Sequence, residues 1–374
     1  MNKLLQAALA SAMLVGCGQW ACAQSAWLLT QQDSQNYLLS KAVNSGFSSR
    51  IDVGVSAIYG DAGANLAVLY YDAKQGSDIL SLVDETSGSV VATWPEAGRF
   101  AKLNSGPYAG VAVLGKYAYY ITYAAPALAA SADTIPRNQA GGLWNLQRVS
   151  LSDGSQQTYQ LPKDTADPIV VGYQGIPLIY SWDGAAVYEF DAATQSVKQL
   201  LSSTNITDIE AIEQRAERRG KLHHPGAYAD YVALPGFGVY RLSKLGRLYL
   251  VLDANLRPVS PARPSVKLGP DAAVIKVFPA TLDNAPVVGA IRKLSGTTEV
   301  AFINPTSLSV SWQAPLTEGV VPESVAAADN GIIYADQNSG AIAEVSPNGT
   351  KTVWKLPTNS YAWFARIVTP VVGQ

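Results

Sequence analysis

The sequence predicts an all-β chain folded as a single β-propeller of seven four-stranded blades, with one short helix inserted near 208–219. Three observations predict it. The 374 residues are 48% hydrophobic and only 15% charged, with Gly 31 and Pro 21, a turn-rich composition suited to strands. A strand–turn–strand unit recurs along the chain. Its clearest neighbouring copies lie about 40 residues apart, the period of a four-stranded blade.

The N-terminus reads as an export signal. Lys3 is followed by an apolar run over 4–15, too short to span a bilayer but suited to a signal-peptide core. Two processing sites compete. Leu14-Val15-Gly16-Cys17 resembles a bacterial lipobox, which implies a signal over 1–16 and lipid on the Cys17 sulfur. Ala21-Cys22-Ala23 fits the small-x-small pattern of ordinary signal peptidase, removing 1–23 and leaving no cysteine, as suits an oxidising compartment. On the first reading the chain is a lipoprotein. Gly18 stands where an Asp would imply inner-membrane retention, so the lipobox resemblance points to the outer membrane, facing the periplasm or the cell surface. On the second it is soluble in the periplasm or secreted. Either way the propeller is expected over 27–369, and no later segment is apolar enough to span a membrane as a helix.

The recurring unit is an apolar strand, a turn opened by Asp, Asn or Ser, and a second strand ending in an aromatic and a proline. The clearest copies run from Asn304 to Trp312 and Pro315, from Ser346 to Trp354 and Pro357, and from Ser152 to Tyr159 and Pro162. Looser copies open at Asp84 and Asp191, and looser still at Asp253 and Asp33, which makes seven turns. The opening side chain is expected to accept a backbone N–H two residues on, with a nearby Gly or Asn at positive φ. Stacking such sheets face to face buries both faces of each and leaves only short edges. The aromatics are expected between blades. The strand pair around 27–41 and a last strand over 361–369 are expected to close the ring in one blade.

These spacings resemble the PQQ-type and YVTN-type propeller repeats of bacterial envelope proteins. The likeness covers most of 27–369 as a degenerate repeat and implies fold only. No copy holds the complete tryptophan-docking pattern: at Asp84, Ser87 replaces the expected Thr and Trp94 comes two residues late. No quinone or other cofactor is carried over.

Two intervals exceed a blade period. One excess maps to 124–142, rich in Ala, Pro and Ser and read as an exposed loop. The other maps to 203–228. There Thr207 and Glu210 form a capping-box pattern, Ile209, Ile212 and Ala216 share one helical face, and Gly220 is a stop signal. The helix carries Glu213, Arg215, Arg218 and Arg219, and His223 and His224 follow it; these six residues are the candidate partner-binding set. An amphipathic flap with solvated charges explains the same pattern.

Other chemistry is sparse. The adjacent histidines, the only two in the chain, lack a metal-ligand spacing, and no metal site is assigned. The run from Asp336 to Gly340 reads as a hairpin turn rather than a calcium loop. With a net charge of −2 and no basic stripe, nucleic-acid binding is not expected. The leading expectation is a non-enzymatic binding or scaffold propeller of the envelope with a protein partner, such as an assembly or immunity factor. It touches a membrane only through a lipid anchor. The alternative is a periplasmic carbohydrate-active or lyase-type enzyme using carboxylates and some of the 19 tyrosines near the axis.

Overall fold

The structure is a computed structural model that describes residues 25–368, except 33–35, 44–45, 53–56, 63–64, 73–76, 85–86, 96–110, 125–142, 164, 166–167, 182–185, 219–229, 244, 264–265, 270–273, 329 and 356–359. Side chains are described within 65–355.

The chain opens with three strands, β1 (Ser25–Gln32), β2 (Asn36–Val43) and β3 (Gly46–Asp52). Six blades of four consecutive strands follow. The first holds β4 (Ala57–Ala62), β5 (Asn65–Asp72), β6 (Ser77–Asp84) and β7 (Val90–Pro95). The second holds β8 (Ala112–Leu114), β9 (Tyr117–Ala124), β10 (Leu143–Ser150) and β11 (Gln156–Gln160). The third holds β12 (Pro168–Tyr173), β13 (Ile176–Ser181), β14 (Val187–Asp191) and β15 (Ser196–Leu201). A 3₁₀ turn (Ser203–Ile206) and the helix α1 (Thr207–Arg218) intervene. The fourth blade holds β16 (Asp230–Leu234), β17 (Gly238–Leu242), β18 (Leu248–Leu252) and β19 (Pro258–Arg263). The fifth holds β20 (Val274–Leu282), β21 (Ala285–Leu294), β22 (Thr297–Ile303) and β23 (Val310–Pro315). The sixth holds β24 (Ala326–Ala328), β25 (Gly331–Asp336), β26 (Ala341–Ser346) and β27 (Gly349–Lys355). The last strand, β28 (Ser360–Val368), pairs antiparallel with β1, so a further four-stranded sheet in the order β28-β1-β2-β3 joins the two ends of the chain.

The expectation of seven four-stranded blades is corrected by this strand order: six blades of four consecutive strands carry the repeat, and the remaining sheet is assembled from the two ends of the chain. The recurring turn links the third and fourth strands in six blades, those opened at Asp84, Ser152, Asp191, Asp253, Asn304 and Ser346. Asp33, counted as the seventh, lies outside the described residues, between β1 and β2, a link from second to third strand. The closing sheet takes its inner strand from the far end of the chain, which displaces its turns by one strand.

The turns work as their side chains dictate. Asp191 accepts the Ala193 N–H at 2.8 Å, Asp253 that of Asn255 at 2.9 Å and Asn304 that of Thr306 at 2.9 Å. In the turn read from Ser152 it is Asp153 that does so, accepting from Ser155 at 3.0 Å. These acceptors satisfy backbone donors that the bend leaves unpaired. The residue at positive φ is Gly88, Gly154 and Gly349 in three blades, but Gln195, Leu256 and Leu308 in the others. The expectation of Gly or Asn there holds in only half of the copies.

The core lies between blades. The second strands β17 and β25 are covered on both faces and buried along their whole length rather than alternating, whereas the fourth strands β11, β23 and β27 are largely exposed. Tyrosine supplies much of the filling: Tyr120, Tyr173, Tyr188, Tyr240 and Tyr334 are fully buried. Tyr159 of one blade meets Phe190 of the next with ring centroids 4.6 Å apart. Trp94 covers Gly154 of the following blade so closely that a Cβ there would lie within the indole. The expectation of aromatics between blades is met at these two places despite the late position of Trp94.

Candidate functional site

Strand direction sorts every link onto one of two faces. Neighbouring strands in each sheet are antiparallel, so links from first to second and from third to fourth strand share one face. Links from second to third strand, and from one blade to the next, share the other. In the six blades, no link on the first face exceeds six residues. The long links, 96–111, 125–142 and 202–229, all leave from the second.

The short-link face is stitched from blade to blade. The Tyr173 hydroxyl donates to the Ala254 carbonyl at 3.2 Å, and the Tyr240 hydroxyl to the Pro305 carbonyl at 3.0 Å. The Asp283 N–H donates to the Asn330 side chain. Burial pushes the Tyr240 hydroxyl up to about 12, so it stays a donor through neutral pH. These bonds fix neighbouring turns against each other and leave little slack there.

The long-link face carries α1. Its chain enters through a cap at Ser202, whose backbone N–H donates to the Asn205 side chain at 2.9 Å. Thr207 lies inside the helical stretch instead, its hydroxyl donating to the Thr204 carbonyl at 2.8 Å. The capping box therefore sits five residues before the expected place, because a 3₁₀ turn precedes the α-helix. Ile206 and Ile209 are buried between the third and fourth blades, among Tyr180, Leu201, Tyr231 and Tyr249. Ile212, expected on the same face, is 44% exposed. Glu213 takes the inward position in its place.

Glu213 is not a surface charge. Its carboxylate meets the Arg241 guanidinium of β17 through two contacts, 3.3 and 3.5 Å, and the two side chains are only 8% and 4% exposed. Tyr231 lies in the same pocket of charge; burial drives its pKa up to about 12, with Arg241 opposing. The pair clamps α1 to the fourth blade near the long-link face. Arg215 and Arg218 lie on the exposed side of the helix with Ile212. Arg219, His223 and His224 lie outside the described residues, as do Cys17 and Cys22. The structure thus keeps Arg215 and Arg218 as surface candidates and assigns Glu213 to anchoring. Ile212 was missed as a surface residue; the only available signal was that a carboxylate at the next position needed a buried cation, and Arg241 is distant in sequence.

Two further polar ladders are structural. Arg292 donates to Glu299 at 2.6 Å, to Gln313 at 2.7 Å and to the Leu268 carbonyl at 2.9 Å, which ties three strands of the fifth blade together. Gln147 bridges Thr122 and Thr158 across the second blade. At Asp336, one carboxylate oxygen accepts the Asn338 N–H at 2.9 Å and the other the Ser339 hydroxyl at 2.8 Å, the hairpin turn expected there. Among the described residues no cluster of three or more His, Cys, Asp and Glu is arranged to hold a metal ion.

Fold and faces together define a β-propeller with a rigid short-link face and an elaborated opposite face. No family model matches the chain. No curated protein sequence matches it either. Solved structures do. A functionally unknown protein from Desulfotomaculum acetoxidans superposes with a TM-score of 0.55 at 11% identity, covering 93% of this chain and 99% of the other. AztD from Citrobacter koseri gives 0.51 at 11% identity, covering 94% and 100%. A quinoprotein alcohol dehydrogenase-like protein from Bacteroides thetaiotaomicron gives 0.52 at 10% identity, covering 92% and 78%. At these identities the likeness establishes the shared propeller fold and carries no activity with it.

Proposed function

We propose that this chain is an exported, non-enzymatic binding propeller of the bacterial envelope that engages a protein partner through its long-link face. The observation that carries the reading is the segregation of the links: 96–111, 125–142 and 202–229 leave from one face, while every link of the six blades on the other is short and some of them are braced to the next blade. Loops positioned by a rigid scaffold are where binding residues concentrate. The helix α1 presents Ile212 with Asp208 on one side and Arg215 and Arg218 on the other, all exposed, on a base held by the Glu213–Arg241 pair. The lipobox at Cys17 supports placement at a membrane as a lipoprotein.

The tyrosines open to the enzyme alternative are fewer than the 19 in the sequence. Ten tyrosines are buried in the blades and are not free to stack on a sugar: Tyr70, Tyr119, Tyr120, Tyr173, Tyr180, Tyr188, Tyr231, Tyr240, Tyr249 and Tyr334. The test is crosslinking in native envelopes, comparing wild type with a variant in which Ile212, Arg215, Arg218, Arg219, His223 and His224 are replaced by Ala or Ser. A discrete adduct lost in the variant supports the reading. An adduct of the same size in both sinks this site, and glycan turnover by the purified chain sinks the non-enzymatic reading.

A further inference from the structure

Resting on the lipoprotein reading just given, we infer that the anchored propeller stands with its short-link face toward the membrane and its long-link face away from it. Ser25 pairs with Val368, and β28 enters from the long-link face through 356–359, so both Ser25 and Val368 lie at the short-link face. The chain therefore joins the propeller on the face opposite α1 and the long connections.

The tether is short. Between Cys17 and Ser25 lie only the residues of Gly18 through Gln24. Such a stretch, treated as a flexible coil, has a root-mean-square span of about 15 Å, and fully extended it reaches about 29 Å. The eight-residue β1 alone measures about 23 Å from end to end. A lipid held at Cys17 thus keeps the short-link face near the bilayer, and turning the long-link face onto the bilayer would stretch the tether far beyond its root-mean-square span. No adhesive patch is needed. Among the described residues the short links carry Asp84, Asp153, Asp191, Asp253 and Asp283 against the exposed cations Lys116 and Arg257, and Asp84, Asp153, Asp191 and Asp253 hold their own turns, so the face is a poor match for anionic headgroups. The orientation comes from attachment alone, and it leaves the elaborated face open to a partner in the aqueous space.

The experiment uses the full chain, exported with its own leader in a bacterial host and purified with its lipid, in a Cys22→Ser background. A donor dye is placed at Asn348→Cys on the short-link face or at Gln337→Cys on the long-link face of the same blade. Both positions are exposed and, a strand apart, separated by about 20 Å. Thr306→Cys and Glu318→Cys form a second pair in case one variant folds poorly. Each protein is reconstituted into phosphatidylethanolamine–phosphatidylglycerol vesicles bearing a headgroup acceptor. Transfer at least about twofold stronger from 348 and 306 than from 337 and 318 is expected for sites one strand length apart in distance from the bilayer. Equal or reversed transfer, with diacylglycerol confirmed on Cys17 by mass, overturns the orientation and leaves the anchor reading intact. An N-terminal peptide without lipid at Cys17 removes the anchor reading itself, and the orientation falls with it.

Discussion

Replacing Glu213 by Ala strands the Arg241 guanidinium, 4% exposed, beside Tyr231 without its counter-charge. At an effective dielectric of 20, two unit charges 3.3 Å apart attract by about 5 kcal/mol. Desolvation offsets much of that in the intact pair, but removing one partner leaves the penalty on the other, typically about 3–5 kcal/mol. The helix offers an escape. If α1 lifts and hydrates Arg241, the cost is capped by the burial lost at Ile206 and Ile209, about 1.5–3 kcal/mol each. Both routes give a loss of at least about 2 kcal/mol. Denaturant unfolding reads the loss, and amide exchange over 207–218 separates the routes, since a lifted helix exchanges much faster than the blades. The double variant Glu213→Leu with Arg241→Met removes both charges and is expected within about 1.5 kcal/mol of wild type. A Glu213→Ala protein as stable as wild type, with unchanged exchange in α1, would refute the clamp.

Four other outcomes follow from the same geometry. Gly154→Ala forces a side chain into positive φ and into the Trp94 indole, and is expected to cost about 2–4 kcal/mol by denaturant unfolding. Gln195→Gly relieves a left-handed backbone at an exposed turn and is expected to raise stability by up to about 1 kcal/mol in the same assay. Tyr231 holds its proton up to about 12 when folded but ionises near 10 when unfolded, so its contribution is complete below pH 10 and declines as pH rises toward 12. The loss, about 2–3 kcal/mol, is read by unfolding titrations across that window and is expected to shrink in Tyr231→Phe. Deleting 360–374 removes β28 from the closing sheet and is expected to lower the melting temperature of the whole ring, not of one blade; a truncated chain melting like the full one would contradict closure.

Much of the fold was legible because its signals are local. Asp191, Asp253 and Asn304 each specify a turn through short-range hydrogen bonds to backbone N–H groups, and the spacing of the clearer copies marks a blade period. The helix was placed within one residue of its described bounds, although its cap lies at Ser202 rather than Thr207 and Ile212 leaves the face assigned to it. What was hidden depends on distant partners. The role of Glu213 needed Arg241 on another strand, and the exposure of Ile212 followed from that pairing. That the β1–β2 link joins a second strand to a third follows from β28, which pairs with β1 across the sequence. The segregation of long links onto one face also escapes a linear reading, since it emerges only when strand order gives each link a direction.

The central claim is that the long-link face is the binding face. The most direct measurement places a photo-crosslinking residue singly at Ile212, Arg215 and Gln337 on that face, and at Thr194, Thr306 and Asn348 on the other, in native envelopes. The account predicts one adduct of common mass from the first set and none of that mass from the second. The same adduct arising only from Thr194, Thr306 and Asn348, or no discrete adduct from either face, would contradict it.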